Sequence, residues 1–185
     1  MADLRGLALW RLPVDQVLAD VDLTRLDSVA LTLGSLADVD WLGRLSGVRY
    51  LALRRVRGVA DLNVLTGFES LVWLWLDSLG KVTRLPEMRG CIALRRVELT
   101  ELKALREATA LQGLAGAPQL REVLVSESRL PVEAFEQLAK HPRLERIGVG
   151  LGSARRNAAA EALLARPPQR SPEEFAAEQG ILHLL

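Results

Sequence analysis

One frame, apolar-x-x-apolar-x-apolar, recurs seven times and constrains this chain more than any other feature. Its first anchors are Leu4, Leu26, Val48, Leu71, Leu94, Leu120 and Leu144. The second anchors are Leu7, Val29, Leu51, Leu74, Val97, Val123 and Ile147, and the third are Leu9, Leu31, Leu53, Leu76, Leu99, Val125 and Val149. Successive first anchors stand 22, 22, 23, 23, 26 and 24 residues apart. The fourth copy, Leu71-Val-Trp-Leu-Trp-Leu76, alternates with period two, which marks a strand with unlike faces. Leu74 and Leu76 point one way, and Trp73 and Trp75 the other. A strand this short cannot bury one face alone, so copies at near-constant spacing must stack on one another around a shared core.

The segments between frames carry a second rhythm. Apolar residues fall at every third position: Leu36, Val39, Leu42 and Leu45; then Val59, Leu62, Leu65 and Phe68; then Val82, Leu85, Met88 and Cys91. Three residues per turn is the period of a 3₁₀-like return. Repeat five carries an extra triplet, Leu105, Ala108, Leu111 and Leu114. In repeat six, Pro131 followed by Val132–Lys140 predicts an α-helix with proline in its first turn.

These anchors and triplets resemble the leucine-rich repeat family, in its short class of about 22–24 residues per repeat, over roughly residues 4–164. The resemblance implies an α/β solenoid. Short parallel strands would line its concave side, 3₁₀ or short helical returns its convex side, and a helical cap its C-terminal end. It also implies protein binding, in a scaffold, a regulator, or an inhibitor or immunity-type protein. One departure stands out. The family places Asn or Cys eight residues after the first anchor, whereas this chain has Leu12, Gly34, Val56, Leu79, Leu102, Ser128 and Gly152 there. An apolar ladder replaces the asparagine ladder in four repeats, so the backbone polar groups at that turn need other partners.

Ser153–Ala165 reads as a helix with Ser153 as its cap, ended by Pro167 and Pro168. Ser171-Pro172-Glu173-Glu174 is a second helix start. The expected organisation is a solenoid of about seven repeats over residues 1–166, with residues 167–185 as a C-terminal cap segment of the same domain that covers the open end of the core. The N-terminal side has no comparable segment, so its edge strand is expected to be exposed to pairing.

A formal net charge of +1 supplies no bulk basicity, which argues against nucleic-acid or anionic-membrane partners. No signal-peptide core precedes the repeats, no uncharged run approaches a membrane span, and a single cysteine, Cys91, gives no disulfide framework. Together these point to the cytoplasm. The choice of arginine over lysine reads as the coding bias of a GC-rich bacterium.

In a solenoid of this kind, the second, fourth and sixth positions after each first anchor face outward on the concave side. Three of the four tryptophans and the single tyrosine fall there. The expected partner-binding set is Trp73, Trp75, Tyr50, Arg54, Asp77, Arg96, Glu98, Glu122 and Trp10: aromatic side chains in the middle of the arc, with charges of both signs around them. Two other readings compete. A terminal segment could cover the aromatic residues, or the patch and the N-terminal edge could drive homodimerisation.

Chemistry finds little support. Gly148-Val-Gly150-Leu-Gly152-Ser153 lies between a strand and a helix, the context of a phosphate loop, but it lacks the third glycine of the dinucleotide fingerprint and a Gly-Lys-Ser/Thr ending. His141 and His183 lie far from Cys91 and form no metal or nucleophile cluster with it. Glu98 and Glu122 are neighbours on adjacent strands with arginines nearby, which does not make a general acid. The sequence therefore predicts a binding protein with no enzymatic activity, cofactor or metal, whose partner is an unidentified protein.

Overall fold

The computed structural model describes residues 5–11, 23–36, 39–45 and 47–181. Leu4, Leu12 and His183 lie outside the described residues. Each frame forms one strand: β1 (Gly6–Trp10), β2 (Ser28–Thr32), β3 (Tyr50–Arg54), β4 (Trp73–Asp77), β5 (Arg96–Thr100), β6 (Glu122–Ser126) and β7 (Arg146–Val149). They form one parallel sheet in sequence order. The register pairs like position with like, so that Leu51 pairs with Leu74 and Leu74 with Val97. This is the open α/β solenoid of leucine-rich repeats.

The inward anchors explain the arrangement. Leu51, Leu53, Leu74, Leu76, Val97 and Val123 are sealed in one continuous core together with the triplet residues of the return segments. The returns make 3₁₀ turns at Asp40–Arg44, Asn63–Gly67 and Gln112–Gly116. Repeat four makes none. Its Leu85 and Met88 amides donate instead to the carbonyls of Ala110 and Gly113 in the next repeat, at 3.0 and 2.9 Å. Two expectations are corrected here. In repeat five Ala108 is exposed, and Ala110 fills the core in its place. In repeat six the expected α-helix begins as a 3₁₀ turn, Val132–Phe135, and continues as one α-turn, α1 (Glu136–Ala139).

The turn that lacks an asparagine ladder is built from backbone. Arg11, Leu33, Arg55, Ser78, Glu101 and Glu127, each seven residues after a first anchor, have left-handed φ between 49° and 58°. None is glycine, so each conformation carries a cost of about 1–2 kcal/mol. Bonds along the solenoid offset it: the amides of Arg11, Leu33, Arg55, Ser78 and Glu101 donate to the strand-end carbonyls of the following repeat at 2.8–3.0 Å. The left-handed residue turns the chain, so the next side chain, Val56, Leu79 or Leu102, drops into the core.

Past β7, helix α2 (Ala154–Leu164) buries Ala160 and Leu164. Ser153 occupies its N-cap position, but the hydroxyl makes no capping bond. The helix ends at Ala165, in the left-handed region at φ 49°. The Arg166 side chain then donates to the carbonyls of Leu144, Ala139 and His141, while Ile147 N donates to Pro167 O at 2.9 Å. The last of these bonds takes up one position on the free edge of β7. From there the chain crosses to the concave side and forms α3 (Pro172–Glu178). Ser171 and Glu174 make a reciprocal capping box at its start, with bonds of 3.1 and 3.0 Å.

Two stability outcomes follow. Leu74→Ala should cost about 2–5 kcal/mol, from lost transfer energy and a cavity the stacked repeats cannot close. Ala165→Gly should stabilise by about 0.5–1 kcal/mol, since glycine relieves the left-handed penalty at an exposed helix end and the relief exceeds its greater unfolded-state entropy. Urea denaturation of both variants measures each effect.

Candidate functional site

The outward positions do not form one exposed surface. At the N-terminal end they are open: Gly6 and Ala8 are exposed, and Trp10 is 65% exposed. Ala30, Thr32 and Trp75 are half-buried, and the Arg54 side chain is 41% exposed. At the centre, the expected exposure is overturned. Trp73 is 1% exposed, Arg96 2% and Glu122 0%, and Tyr50, Asp77 and Glu98 are buried as well. The register is not at fault, because Leu74 and Leu76 remain in the core. Tyr50, Trp73, Arg96 and Glu122 are covered from above by residues 170–181, whereas Asp77 is enclosed by Arg54 and Ser78.

The cover begins with an aromatic contact. Tyr50 and Trp73, side by side on β3 and β4, meet edge to face with centroids 5.1 Å apart. Phe175 of α3 adds a second edge-to-face contact on Trp73 at 5.6 Å and 82°. Such pairs are worth about 0.5–1.5 kcal/mol beyond the area they bury. Ala176 and Ile181 complete a small apolar cluster with Tyr50, Ala52, Val72 and Trp73, separate from the main core. Burial pushes the Tyr50 hydroxyl up to about 12, and the charge of Glu98 adds to the shift.

Beside the rings lies a buried charge network. Arg96 Nε donates to Glu98 Oε1 at 2.7 Å, and its Nη1 to Glu122 Oε2 at 3.0 Å and to the Arg170 carbonyl at 3.1 Å. The Arg96 guanidinium lies 5.0 Å from the Trp73 ring and 5.2 Å from Phe175. Arg170 donates from Nε to Glu122 Oε1 at 2.5 Å and from its backbone amide to Glu122 Oε2 at 3.3 Å. Its outer end pairs with Glu178, and Arg95 holds Gln179. Arg96 is thus shared between two carboxylates, the neighbouring Arg146 donates to Pro168 O, and Arg170 supplies the second positive charge at Glu122. Arg170 and Phe175 were not among the sequence-predicted site residues. The signals that could have found them are the excess of carboxylates on β5 and β6 and the costly exposure of Trp73.

Next to the covered centre, Arg54 stacks over Trp75 at 4.2 Å and pairs with Asp77 at 3.6 Å. Ser78 Oγ donates to Asp77 Oδ1 at 2.7 Å. The rim below α3 forms a groove of about 450 Å³ lined by Gly47, Arg49, Ser70, Val72, Ala93, Arg95 and Gln179.

The remaining sequence features serve packing. Cys91 is buried and donates its thiol to Leu65 O at 3.0 Å; burial pushes that thiol up to about 11. His141 Nε2 lies 2.9 Å from Ala117 O. In the glycine loop, Gly150 N donates to Val125 O and Leu151 N to Asn157 Oδ1, both at 2.7 Å. Those two amides are occupied within the protein. Among the described residues, no group of three or more His, Cys, Asp or Glu could hold a metal, and no helix is long and apolar enough to cross a membrane.

Trp73→Ala should therefore cost about 3–5 kcal/mol in the isolated protein, and Trp75→Ala distinctly less, read by chemical denaturation of each variant. The Tyr50 hydroxyl should resist deprotonation well past its ordinary pKa of 10.0, and an ultraviolet absorbance titration should place it near 12. Its folded pKa lies above the unfolded one. The associated stabilisation is thus complete below pH 10 and is lost as pH rises towards 12.

No protein-family model matches the chain, and no curated protein matches it. Among solved structures, an internalin from Listeria monocytogenes is similar over 88% of this chain, with 14% identity and a TM-score of 0.41. The match spans 59% of that internalin.

Proposed function

We propose that this chain is a protein–protein interaction module, and that the open N-terminal half of its concave face receives the partner. The observation that carries this reading is the solvent exposure of Trp10 on a sheet face whose centre is otherwise sealed. Ala8 and Ala30 pair in register on β1 and β2 and make a shallow floor of small side chains that ends at the covered Ala52. Trp10 stands on β1, and Trp75, with Arg54 stacked on it, closes the far side on β4. Tryptophan and arginine beside a small apolar floor are what the energetic centre of an interface uses. The Arg54–Asp77 pair supplies a charged rim that favours one orientation of approach.

The scaffold, regulator and inhibitor roles all use such a surface, and the partner distinguishes them. Self-association is the second reading. It is favoured by the position of Trp10 on β1, the last strand of the sheet among the described residues. Sedimentation of the purified chain separates the two.

The test is a Trp10→Ala/Trp75→Ala double variant, compared with the parent in affinity capture and in binding to the captured protein. It should keep the parent's circular dichroism and bind about 30-fold or more weakly, the loss expected of two central anchors. A folded double variant that binds as tightly as the parent removes this half of the face from consideration.

A further inference from the structure

The segment that covers the concave centre is itself built like a ligand. We propose that residues 170–181 are a resident stand-in for a partner segment. The surface of β3–β6 beneath them is then a second docking site for a short helix of a partner protein. That helix carries an arginine, an aromatic ring five residues later, and a hydrogen-bond acceptor above Trp73. The proposal deepens the interaction-module reading and rests on it.

The sheet face and the segment are complementary in charge and shape. On the sheet side, Arg96 stands against Glu98 and Glu122, which leaves one carboxylate charge to be met from outside; Arg170 meets it. The Tyr50–Trp73 pair with Arg96 beside it forms an aromatic seat, and Phe175 fills it. The occupant is thus read through one cation and one ring, the mode in which a short helix docks on a receptor face.

The hold on α3 comes from a few docked side chains and not from the helix itself. In α3 only Phe175 and Ala176 are buried, and Glu173, Glu174, Ala177 and Glu178 remain exposed. Two turns of helix do not persist in water by themselves, so the order of α3 comes from docking. Segments held this way open locally without the rest of the fold.

The resident contact also leaves a misfit: the Trp73 indole N–H is buried and has no acceptor among the described residues. A native contact that left this group unpaired can be exceeded by an occupant that brings an oxygen to it. When the resident segment leaves, Trp73, Tyr50, Glu98 and Glu122 join Trp75 and Arg54 in one continuous face.

The experiment uses the full chain and a fluorescent synthetic peptide with the sequence of residues 166–181. Phe175→Ala in the full chain should open the site without dismantling the sheet. The peptide should then bind this variant about ten-fold or more tightly than the parent, whose own segment competes. A peptide with alanine in place of the phenylalanine should not bind, and Glu122→Lys added to the opened chain should abolish binding. Hydrogen exchange serves as the folding control: amides of 172–180 lose protection in Phe175→Ala while those of β3–β6 keep it. Arg170→Gln, which loosens the clamp without leaving a cavity, should act in the same direction. Loss of protection throughout β3–β6 in both variants would make the segment part of the folding core and overturn the proposal. So would a folded, opened chain that ignores the peptide, or equal binding to parent and variant. Trp10 lies on β1, outside the opened face, so Trp10→Ala alone reports on the open half, and its failure is distinguishable from a failure of the peptide to bind.

Discussion

Glu122 has no exposed surface, and a carboxylate removed from water is tolerable only if counter-charges and hydrogen bonds surround it. Arg96 cannot provide this by itself, since it is shared with Glu98. The second guanidinium comes from Arg170, 48 residues further on, while Arg146, the β7 neighbour of Glu122, donates to the Pro168 carbonyl instead. Once Arg170 is fixed, the capping box at Ser171 starts α3 immediately and brings Phe175 over Trp73. The burial of Tyr50 and Trp73, and the division of the concave face into a sealed centre and an open N-terminal half, go together with this one pairing.

The solenoid was legible because its signal is local and repeated. A three-anchor frame states which residues are strand, which face the core and which position pairs with which. The observed register Gly6–Ser28–Tyr50–Trp73–Arg96–Glu122–Arg146 is the second position of every frame. The left-handed turns were not legible. Their usual marker is glycine, whereas here Leu33, Arg55 and Glu101 adopt that conformation, held there by bonds between repeats. The exchange of Ala110 for Ala108 has a similar cause. The 26-residue repeat must place its extra length somewhere, and the triplet rhythm alone does not say where.

The covered site was partly legible. Ser171-Pro172-Glu173-Glu174 announces a helix start but carries no information about where the helix docks. Only Phe175, Ala176 and Ile181 of that stretch are apolar and buried, too few for a periodic pattern. What selects the docking place is charge: Arg170 against Glu122, across a distance in sequence that no local pattern spans. The expected binding residues divide accordingly. Trp10, Trp75 and Arg54 stay accessible, and Trp73, Tyr50, Arg96, Glu98 and Glu122 do so only if the segment moves.

The central claim is that residues 170–181 lie on the concave face, with Phe175 against Trp73. Its most direct test is a nuclear Overhauser spectrum of the parent chain with the aromatic protons of these two residues assigned. Ring centroids 5.6 Å apart predict cross-peaks between the Phe175 ring and the Trp73 indole, together with slow solvent exchange of the Trp73 indole N–H and fast exchange of that of Trp10. An indole N–H of Trp73 that exchanges as fast as that of Trp10, with no cross-peak to Phe175, would contradict the account.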